Sequence, residues 1–230
     1  MDVAKNLKLA ILIPYRDRAE HLSVFLKLFP QRINLGRSKN PIDYEIFIIE
    51  QDNQKLFNRG MLLNIGFALT KDKFDYFCFH DVDMIPLSAD YSYPYLPTHL
   101  AFNVSQFKET LNTGLPYRHY FGGVSLFNKS DLIKINGFSN GYWGWGSEDD
   151  DLLVRCVKNG LRWTRRIGTY ESLPHPKIRN PDPIDKNTLR YFRTINGDLV
   201  DTTGLSDLAF ILKAEKHYEN PPHTLYSVDF

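Results

Sequence analysis

Two groups of acidic residues are candidates for chemistry. Asp81 and Asp83 flank Val82 directly after an aromatic-rich apolar run, and Trp143 to Asp151 read WGWGSEDDD, a glycine-hinged aromatic loop followed by four carboxylates. Side chains two residues apart on an extended segment point the same way, so Asp81 and Asp83 can converge on one target. Carboxylate oxygens are ligands that Mg²⁺ and Mn²⁺ favour, often together with phosphate oxygens. The first group predicts a divalent metal site; the alternative is a turn whose aspartates cap backbone amides.

The second group predicts the start of a helix. Ser147 is followed by Asp150 at capping-box spacing, which indicates a helix that begins near Glu148. Asp149 is in line with the apolar stripe of that helix, which is formed by Leu152, Leu153, Cys156 and Val157. Asp149 is therefore a candidate general base, whereas Asp151 points away from the stripe and is expected only to complement the helix dipole. The alternative is that all four acids do no more than that.

The loop before this helix has the features of a lid. Gly141, Gly144 and Gly146 permit hinge motion around two indoles. Trp143 or Trp145 could cover the apolar face of a sugar or another flat ligand. The alternative, a tryptophan buried in the core, suits one of the two better than both.

His175 is a candidate for a further metal ligand. It lies in SLPHP, between two prolines that restrict its backbone. A lone histidine in a loop is more often a plain surface residue, and its spacing from the aspartates leaves both interpretations open.

The elements that must position these groups alternate in the α/β manner. Buried-strand runs cover Leu7 to Pro14, Tyr44 to Gln51 and Phe74 to Asp83, and helical spacing covers Ala19 to Phe29 and Asn58 to Thr70. This order predicts a parallel, doubly wound sheet whose ligand crevice lies at the carboxyl ends of the strands. The polar clusters PYRDR, EQDN and HDVD fall at those ends. The irregular chain from about Pro174 onward predicts a loop-rich C-terminal cap on the same domain.

Composition excludes several classes of function. The chain is 43% hydrophobic and 24% charged with a formal net charge of +1, which gives no electrostatic argument for binding nucleic acid or an anionic membrane. The opening apolar run is too short to span a bilayer and lacks a signal-peptide cleavage site. Cys78 and Cys156 lie in apolar context and are expected to be buried free thiols, which fits a reducing compartment.

Several stretches together resemble the animal β-1,4-galactosyltransferase family of inverting nucleotide-sugar enzymes. They are IPYRDRAEHL, FNRGMLLNIGF, HDVDMIP and PYRHYFGGVSLFNKSDLIKINGFSNGYWGWGSEDDDLLVR, in the family's order between about Ile13 and Arg155. The resemblance implies a twisted, mostly parallel α/β sheet of the nucleotide-sugar glycosyltransferase type with the loop-rich C-terminal cap. It also implies UDP-galactose as donor and Mn²⁺ as cofactor, with Mg²⁺ as the alternative.

Residue roles follow by position from this resemblance. The implied nucleotide contacts are Pro14, Tyr15, Arg16, Arg18, Phe57 and Arg59. The implied contacts with the donor sugar and the lid are Asp81, Val82, Gly123 and Trp145. The implied metal ligands are Asp83 and His175; Ser172 stands where the family commonly has a further methionine ligand.

The acceptor side and the catalytic acids complete the assignment. Glu148 and Asp149 match the acidic pair at the junction of donor and acceptor, with Asp149 as the catalytic base. Tyr117 matches an acceptor-side tyrosine. Tyr120 stands where a bulky tyrosine is associated with galactose rather than N-acetylgalactosamine. After Pro176 the chain no longer resembles the family, except that DTTGLSDL is weakly similar to the family's DGLNSL element.

The expected function is inverting, metal-dependent transfer of galactose from UDP-galactose to a sugar hydroxyl of a carbohydrate or glycoconjugate acceptor, with a β-1,4 linkage. Residues 1–230 are expected to form one catalytic domain, with a nucleotide-binding half at 1–90 and an acceptor and lid half at 91–230. The alternatives are a UDP-N-acetylgalactosamine transferase and a non-catalytic nucleotide-sugar or carbohydrate-binding module. The expected location is the cytosol, or the Golgi lumen if the chain belongs to a longer anchored protein.

Overall fold

The computed structural model describes residues 7–35, 40–108, 114–174 and 185–230. The strands in these ranges are β1 (Lys8–Tyr15), β2 (Asp43–Gln51), β3 (Tyr76–His80), β4 (Met84–Ser88), β5 (Thr98–Val104), β6 (Val124–Asn128), β7 (Thr164–Ser172), β8 (Ile211–Glu219) and β9 (Pro222–Asp229). The α-helices are α1 (Ala19–Arg32), α2 (Arg59–Thr70), α3 (Lys129–Lys134), α4 (Glu148–Lys158) and α5 (Lys186–Asn196).

The described strands form one sheet in the order β4-β7-β5-β6-β3-β1-β2-β9-β8. Parallel pairs join β1 to β2, β1 to β3, β2 to β9 and β5 to β7, whereas β3/β6, β4/β7, β5/β6 and β8/β9 are antiparallel. The α/β class is confirmed, but the sheet is mixed rather than mostly parallel. Helical crossovers link only β1 to β2 and β2 to β3 directly, and four of the eight strand pairs in the described sheet are antiparallel.

Strand β1 is buried on both faces, as its continuous apolar run predicts. Alternate residues face opposite sides of the sheet, so Ile11 packs in a cluster with α1 and Leu12 in a cluster with α2. Helix α2 approaches closely because Gly66 has no side chain; a Cβ there would lie 3.0 Å from Ile49. The two helices therefore cover opposite faces of the sheet at β1.

The C-terminal segment contributes two strands to the main sheet, which the expectation of a loop-rich cap did not include. Strand β9 lies parallel to β2 and pairs antiparallel with β8. Thr224, Tyr226 and Val228 are buried at alternating positions. Nearly all of β8 is exposed and most of its residues are polar after Leu212, so this strand lacks the buried apolar run by which the sequence revealed the inner strands.

Strand β3 ends earlier than expected, at His80, and residues 81–83 form a turn that leads into β4. The N–H of Met84 donates to the carbonyl of Asp81 at 3.1 Å. The alternation that would align Asp81 with Asp83 on a strand therefore does not apply to this turn. His80 is buried and fills a structural place: its Nε2 accepts from the hydroxyl of Tyr91 at 3.0 Å and its Nδ1 lies 2.9 Å from the carbonyl of Asp81.

Cys78 and Cys156 are both free and buried, as predicted. Among the described helices, none has the length and apolar character needed to cross a bilayer.

Candidate active site

The carboxyl ends of β1, β2 and β3 meet at one edge of the sheet, and the nucleotide residues assigned from sequence gather there. Pro14 and Tyr15 end β1, and Arg18 lies immediately before α1. Arg16 donates from a guanidinium nitrogen to the carbonyl of Lys55 at 2.7 Å, and its guanidinium lies 5.5 Å from the ring centre of Phe57. Arg16 also lines a groove of about 540 Å³ between the loops that follow β1 and β2. The sheet thus brings Arg16 and Phe57 together.

Arg59, the first residue of α2, joins the two groups of carboxylates. Its Nε donates to Asp81 at 2.6 Å, and one of its terminal nitrogens lies 3.6 Å from Glu148. The guanidinium also lies 5.8 Å from the ring centre of Phe138. Although Arg59 was assigned to the nucleotide, in this structure its polar contacts are with carboxylates. The turn after β3 and the first turn of α4 therefore face one crevice.

Helix α4 begins at Glu148 as predicted, but its cap differs from the predicted one. Ser147 has a left-handed backbone with φ of 69°, and its side chain makes no capping hydrogen bond. Instead, the carboxylate of Asp149 accepts from the N–H of Asp150 at 2.9 Å. The left-handed turn at Ser147 replaces the extended conformation of an ordinary N-cap, which is why the capping box does not form. Asp149 thus lies at the mouth of its own helix.

Burial raises the pKa values of the clustered acids. The pKa of Glu148 is raised to about 8 by burial and by the charge of Asp149. The same two causes raise the pKa of Asp150 to about 7. Burial raises the pKa of Asp149 as well, against the opposing charge of Arg59. The cluster therefore holds protons near neutral pH, where isolated carboxylates would be ionised.

A tyrosine–glycine loop forms the wall beside this cluster. The hydroxyl of Tyr117 donates to Asp150 at 2.8 Å. Gly123 has φ of 77°, and its carbonyl accepts from the N–H of Asp81 at 2.9 Å. A Cβ at Gly122 would collide with a carboxylate oxygen of Asp149 and lie 2.9 Å from the hydroxyl of Tyr120. Sequence reasoning selected Gly123 and missed Gly122, although the consecutive glycines were a usable signal.

The two indoles of the predicted lid differ in environment. Trp145 is 43% exposed, whereas Trp143 is partly buried with its ring centre 5.9 Å from that of Phe230. The buried amide of Asn187, on α5, lies 3.1 Å from the carbonyl of Trp143 and 3.4 Å from that of Trp145. Trp145 is therefore the indole available at the surface. Asn187 was missed because a single polar residue in irregular sequence carries no signal of a distant contact.

Asp151 was expected to point away from the apolar stripe of α4 and only to complement the helix dipole, which is wrong. It is fully buried, pairs with Arg155 at 2.9 Å and accepts from the hydroxyl of Tyr142 at 3.2 Å. Arg155 also donates to the carbonyl of Thr203 at 2.8 Å and lies 3.4 Å from the carboxylate of Asp201. This buried network links the first turns of α4 to the DTTG segment, so Asp151 anchors the helix that carries Asp149.

The predicted metal ligands are described only in part. Asp83 is buried, and its carbonyl accepts from the N–H of Leu173 at 2.9 Å. His175 lies outside the described residues. Within the described ranges, no group of three or more histidine, cysteine or acidic side chains could hold a metal ion. Asp81 and Asp83 nevertheless offer the carboxylate oxygens that Mn²⁺ and Mg²⁺ accept.

Acids from a turn after a central strand and from a helix mouth meet at the carboxyl edge of a mixed α/β sheet. Ligands bind at this edge in open α/β sheets, and a solved structure shows that the class is that of the galactosyltransferase catalytic domains. The catalytic domain of Drosophila β-1,4-galactosyltransferase 7, solved with xylobiose, superposes with a TM-score of 0.82 at 28% identity, over 97% of this chain and 94% of that one. A mutant of that enzyme, solved with manganese, UDP-Gal and xylobiose, superposes equally well, with a TM-score of 0.82 at 27% identity and the same coverage.

Sequence comparisons agree with the fold. A family model for the N-terminal region of glycosyl transferase group 7 matches residues 1–95, and one described as the N-terminal domain of galactosyltransferase matches residues 99–176. β-1,4-Galactosyltransferase 1 of Bos taurus is 35% identical over 100% of this chain and 56% of its own length. β-1,4-Galactosyltransferase 4 of Cricetulus griseus is 35% identical over 97% of this chain and 63% of its own length. The chain belongs to the β-1,4-galactosyltransferase family and spans little more than half the length of these relatives.

The buried network predicts a pH-dependent loss of stability in Asp201→Asn. Burial alone would raise the pKa of Asp201, but hydrogen bonds from Ser139, Thr203 and Arg190 outweigh it and lower the pKa from 3.8 to about 2. At about 1.4 kcal/mol per pKa unit, this difference stabilises the fold by about 2 kcal/mol at pH 7. Because the folded-state pKa is lowered, the stabilisation is present above pH 3.8 and is lost as the pH falls towards 2.

Urea unfolding of the wild type and Asp201→Asn between pH 7 and pH 3 measures this effect. The gap between the two free energies of unfolding should be largest at pH 7 and narrow below pH 4. The exposed Asp198→Asn should match the wild type throughout. A gap that stays constant with pH would show that the carboxylate charge of Asp201 is not the cause.

Proposed function

We propose that this chain transfers galactose from UDP-galactose to a sugar hydroxyl with inversion, in a metal-dependent reaction that forms a β-1,4 linkage. The observation that carries the proposal is Arg59, which contacts Asp81 after β3 and Glu148 at the start of α4. The aspartate turn and the candidate base thereby share one crevice. The names of the related proteins, and the manganese and UDP-Gal held by the Drosophila enzyme, support the same reaction class.

The groove beside Arg16 is proposed to hold the nucleotide. Its position at the ends of β1 and β2 is where ligands bind in sheets of this kind. Phe57 offers an apolar ring beside the Arg16 guanidinium, so a pyrimidine base and a phosphate can be bound side by side. Pro14, Tyr15 and Arg18 surround the same strand end and keep their proposed nucleotide roles.

Asp83 and His175 are proposed to hold Mn²⁺, with Mg²⁺ as the alternative. When bound, such an ion supplies Lewis-acid neutralisation of the departing diphosphate. The contact between Leu173 and the carbonyl of Asp83 supports this assignment, because it brings the chain beside Asp83 two residues before His175. Asp81 and Val82 are proposed to contact the nucleotide sugar, and Arg59 neutralises Asp81 beside it.

Asp149 is proposed to accept the proton of the acceptor hydroxyl as that oxygen attacks the anomeric carbon. A raised pKa suits this role, since a general base works best when its pKa approaches the working pH. With a pKa of about 8, Glu148 is largely protonated at neutral pH and can donate a hydrogen bond to an oxygen of donor or acceptor. Trp145 is proposed to cover the donor sugar and exclude water, which favours transfer over hydrolysis.

The two acids should respond differently to neutral replacements. Asp149→Asn should abolish transfer while the UDP dissociation constant stays within about twofold, because only the base is lost. Glu148→Gln should retain much more activity, because glutamine resembles the protonated acid. Initial rates of transfer and calorimetric UDP binding measure both variants. Unchanged turnover in Asp149→Asn would remove the assigned base.

Tyr120 is proposed to select galactose over N-acetylgalactosamine. Its hydroxyl lies against Gly122 and Gly123, so the ring fills space at the wall beside Asp149. A bulky side chain there restricts room for an acetamido group on the donor sugar. The N-acetylgalactosamine donor is therefore the less favoured alternative.

Tyr120→Leu should broaden donor use. The smaller side chain opens the wall, so the ratio of kcat/KM for UDP-N-acetylgalactosamine to that for UDP-galactose should rise by roughly 10-fold or more, the effect of one good steric contact. The exposed Tyr95→Leu should leave the ratio at the wild-type value. An unchanged ratio in Tyr120→Leu would place donor selection elsewhere.

A UDP-release assay across donors, acceptors and metals tests the function as a whole. UDP-galactose with a sugar acceptor and Mn²⁺ should give the fastest release, and chelation should stop it until Mn²⁺ is restored. Asp83→Asn should raise the Mn²⁺ concentration for half-maximal activity roughly 10-fold or more, whereas the exposed Asp72→Asn should not. Metal-dependent UDP binding without any sugar released or transferred would instead establish the non-catalytic binding module.

Two further sequence expectations remain predictions. One is the single catalytic domain over residues 1–230, with its nucleotide half at 1–90 and its acceptor and lid half at 91–230, where Tyr117 is the proposed acceptor contact. The other is the compartment, the cytosol or the Golgi lumen, which cell fractionation can decide.

A further inference from the structure

Two polar side chains outside the assigned site, the buried His99 and the half-buried Arg165, hold the wall of the crevice. Arg165, on β7, donates from Nε to Nδ1 of His99, on β5, at 2.9 Å. The other ring nitrogen, Nε2, lies 2.9 Å from the carbonyl of Gly122. Neither residue belongs to the set that the sequence assigns to substrate, metal or catalysis.

The chemistry of the partners fixes the tautomer of His99. A guanidinium has only donors, so Nδ1 of His99 must accept and carries no proton. A carbonyl only accepts, so Nε2 must carry the proton and donate it to Gly122. His99 is fully buried, and burial together with the charge of Arg165 lowers its pKa to about 3. The ring is therefore neutral, with one donor and one acceptor in defined directions.

The same arginine holds two more carbonyls of the wall. Its terminal nitrogens donate to Tyr120 at 2.6 Å and to Arg118 at 3.2 Å. The ring of His99 also stacks on Phe121 at 5.6 Å and meets the edge of Tyr120 at 5.4 Å. Three carbonyls within five residues are thus bound to one pair of side chains, which leaves this segment little freedom to shift.

The held segment is the one that touches the reacting groups. Gly122 leaves no room for a Cβ beside the carboxylate of Asp149, and the carbonyl of Gly123 accepts from the N–H of Asp81. A displacement of the wall would therefore alter the surroundings of Asp149 and Asp81 together. Misplacement of a catalytic group by about 1 Å can cost about 100-fold in rate.

We propose that Arg165 and His99 are positioning residues that fix residues 118–122 against Asp149 and so set the geometry of the base and of Tyr120. The inference rests on the proposed function for its kinetic consequence. The geometric part of the proposal is that His99 is neutral, carries its proton on Nε2 and holds the wall. This part can be tested by measurements that do not depend on enzymatic activity.

Kinetics of three variants test the consequence. His99→Phe keeps an aromatic ring but removes both hydrogen bonds, and should lower kcat about 100-fold while the UDP dissociation constant stays within about twofold. His99→Gln restores one acceptor and one donor, and should recover about 10-fold of that loss. Tyr170→Phe removes a buried hydroxyl from β7, far along the strand from Arg165, and should leave kcat and the donor ratio at wild-type values.

The outcomes separate positioning from general destabilisation. Wild-type kcat in His99→Phe would overturn the proposal. The proposal would also be overturned if kcat and UDP affinity fell in both His99→Phe and Tyr170→Phe in proportion to the fall in melting temperature of each variant. If His99→Phe does not fold, Arg165→Lys decides: it keeps the charge but not the planar fork, and wild-type kcat with an unchanged donor ratio there would also overturn the proposal.

NMR separates this proposal from the proposed function. The nitrogen-15 shifts of His99 should report a neutral ring with the proton on Nε2 from pH 5 to pH 8, and Arg165→Lys should disturb them. The carboxyl pKa of Asp149 should fall in the His99 and Arg165 variants, because a displaced wall admits water. If the wild type transfers no sugar but the His99 nitrogen-15 shifts and the Asp149 pKa change as expected, the proposed function is wrong and the positioning role of Arg165 and His99 is supported. A proton on Nδ1, or an unmoved Asp149 pKa, overturns the positioning alone.

Discussion

The site depends on one buried guanidinium among several carboxylates. Burial of a charge is costly unless a partner compensates it, and Arg59 compensates Asp81 directly and Glu148 at longer range. Burial and mutual repulsion still exceed this compensation, so the pKa values of Asp81 and Glu148 are raised to about 6 and about 8. The crevice thus holds carboxyl groups that can exchange protons closer to neutral pH than isolated carboxyl groups do.

The sequence predicts well whatever depends on local pattern. The apolar runs that became β1 and β2 and the periodicity that became α1 and α2 gave element positions within a few residues. The family resemblance is confirmed by the sequence comparisons. It could be recognised from the sequence because several motifs in a fixed order are far more specific than composition. Helical spacing alone selects Asp149, because it lies on the same face of α4 as Leu152 and Cys156, which are buried.

What the sequence did not predict depends on partners distant along the chain. Asp151 is buried among Tyr142, Arg155 and the DTTG segment, and no local pattern shows that a segment about fifty residues away lies there. The same holds for Asn187, which reaches the carbonyls of both lid tryptophans from α5. The sheet was expected to be mostly parallel because its first three strands are. The later strands include antiparallel pairs between remote parts of the chain, such as β3 with β6 and β4 with β7, which local spacing does not reveal.

The place of β9 has a consequence for how the molecule assembles. Residues 222–229 pair with β2, which lies within residues 43–51, so the inner sheet closes only when two remote parts of the chain meet. Such long-range pairing is slow, because the chain must lose the entropy of closing a long loop before the stabilising contacts between the strands can form. Until then β2 exposes an unpaired edge of apolar strand, which is a template for association with other chains. The yield of refolding should therefore fall as the protein concentration rises, even though the completed sheet is stable.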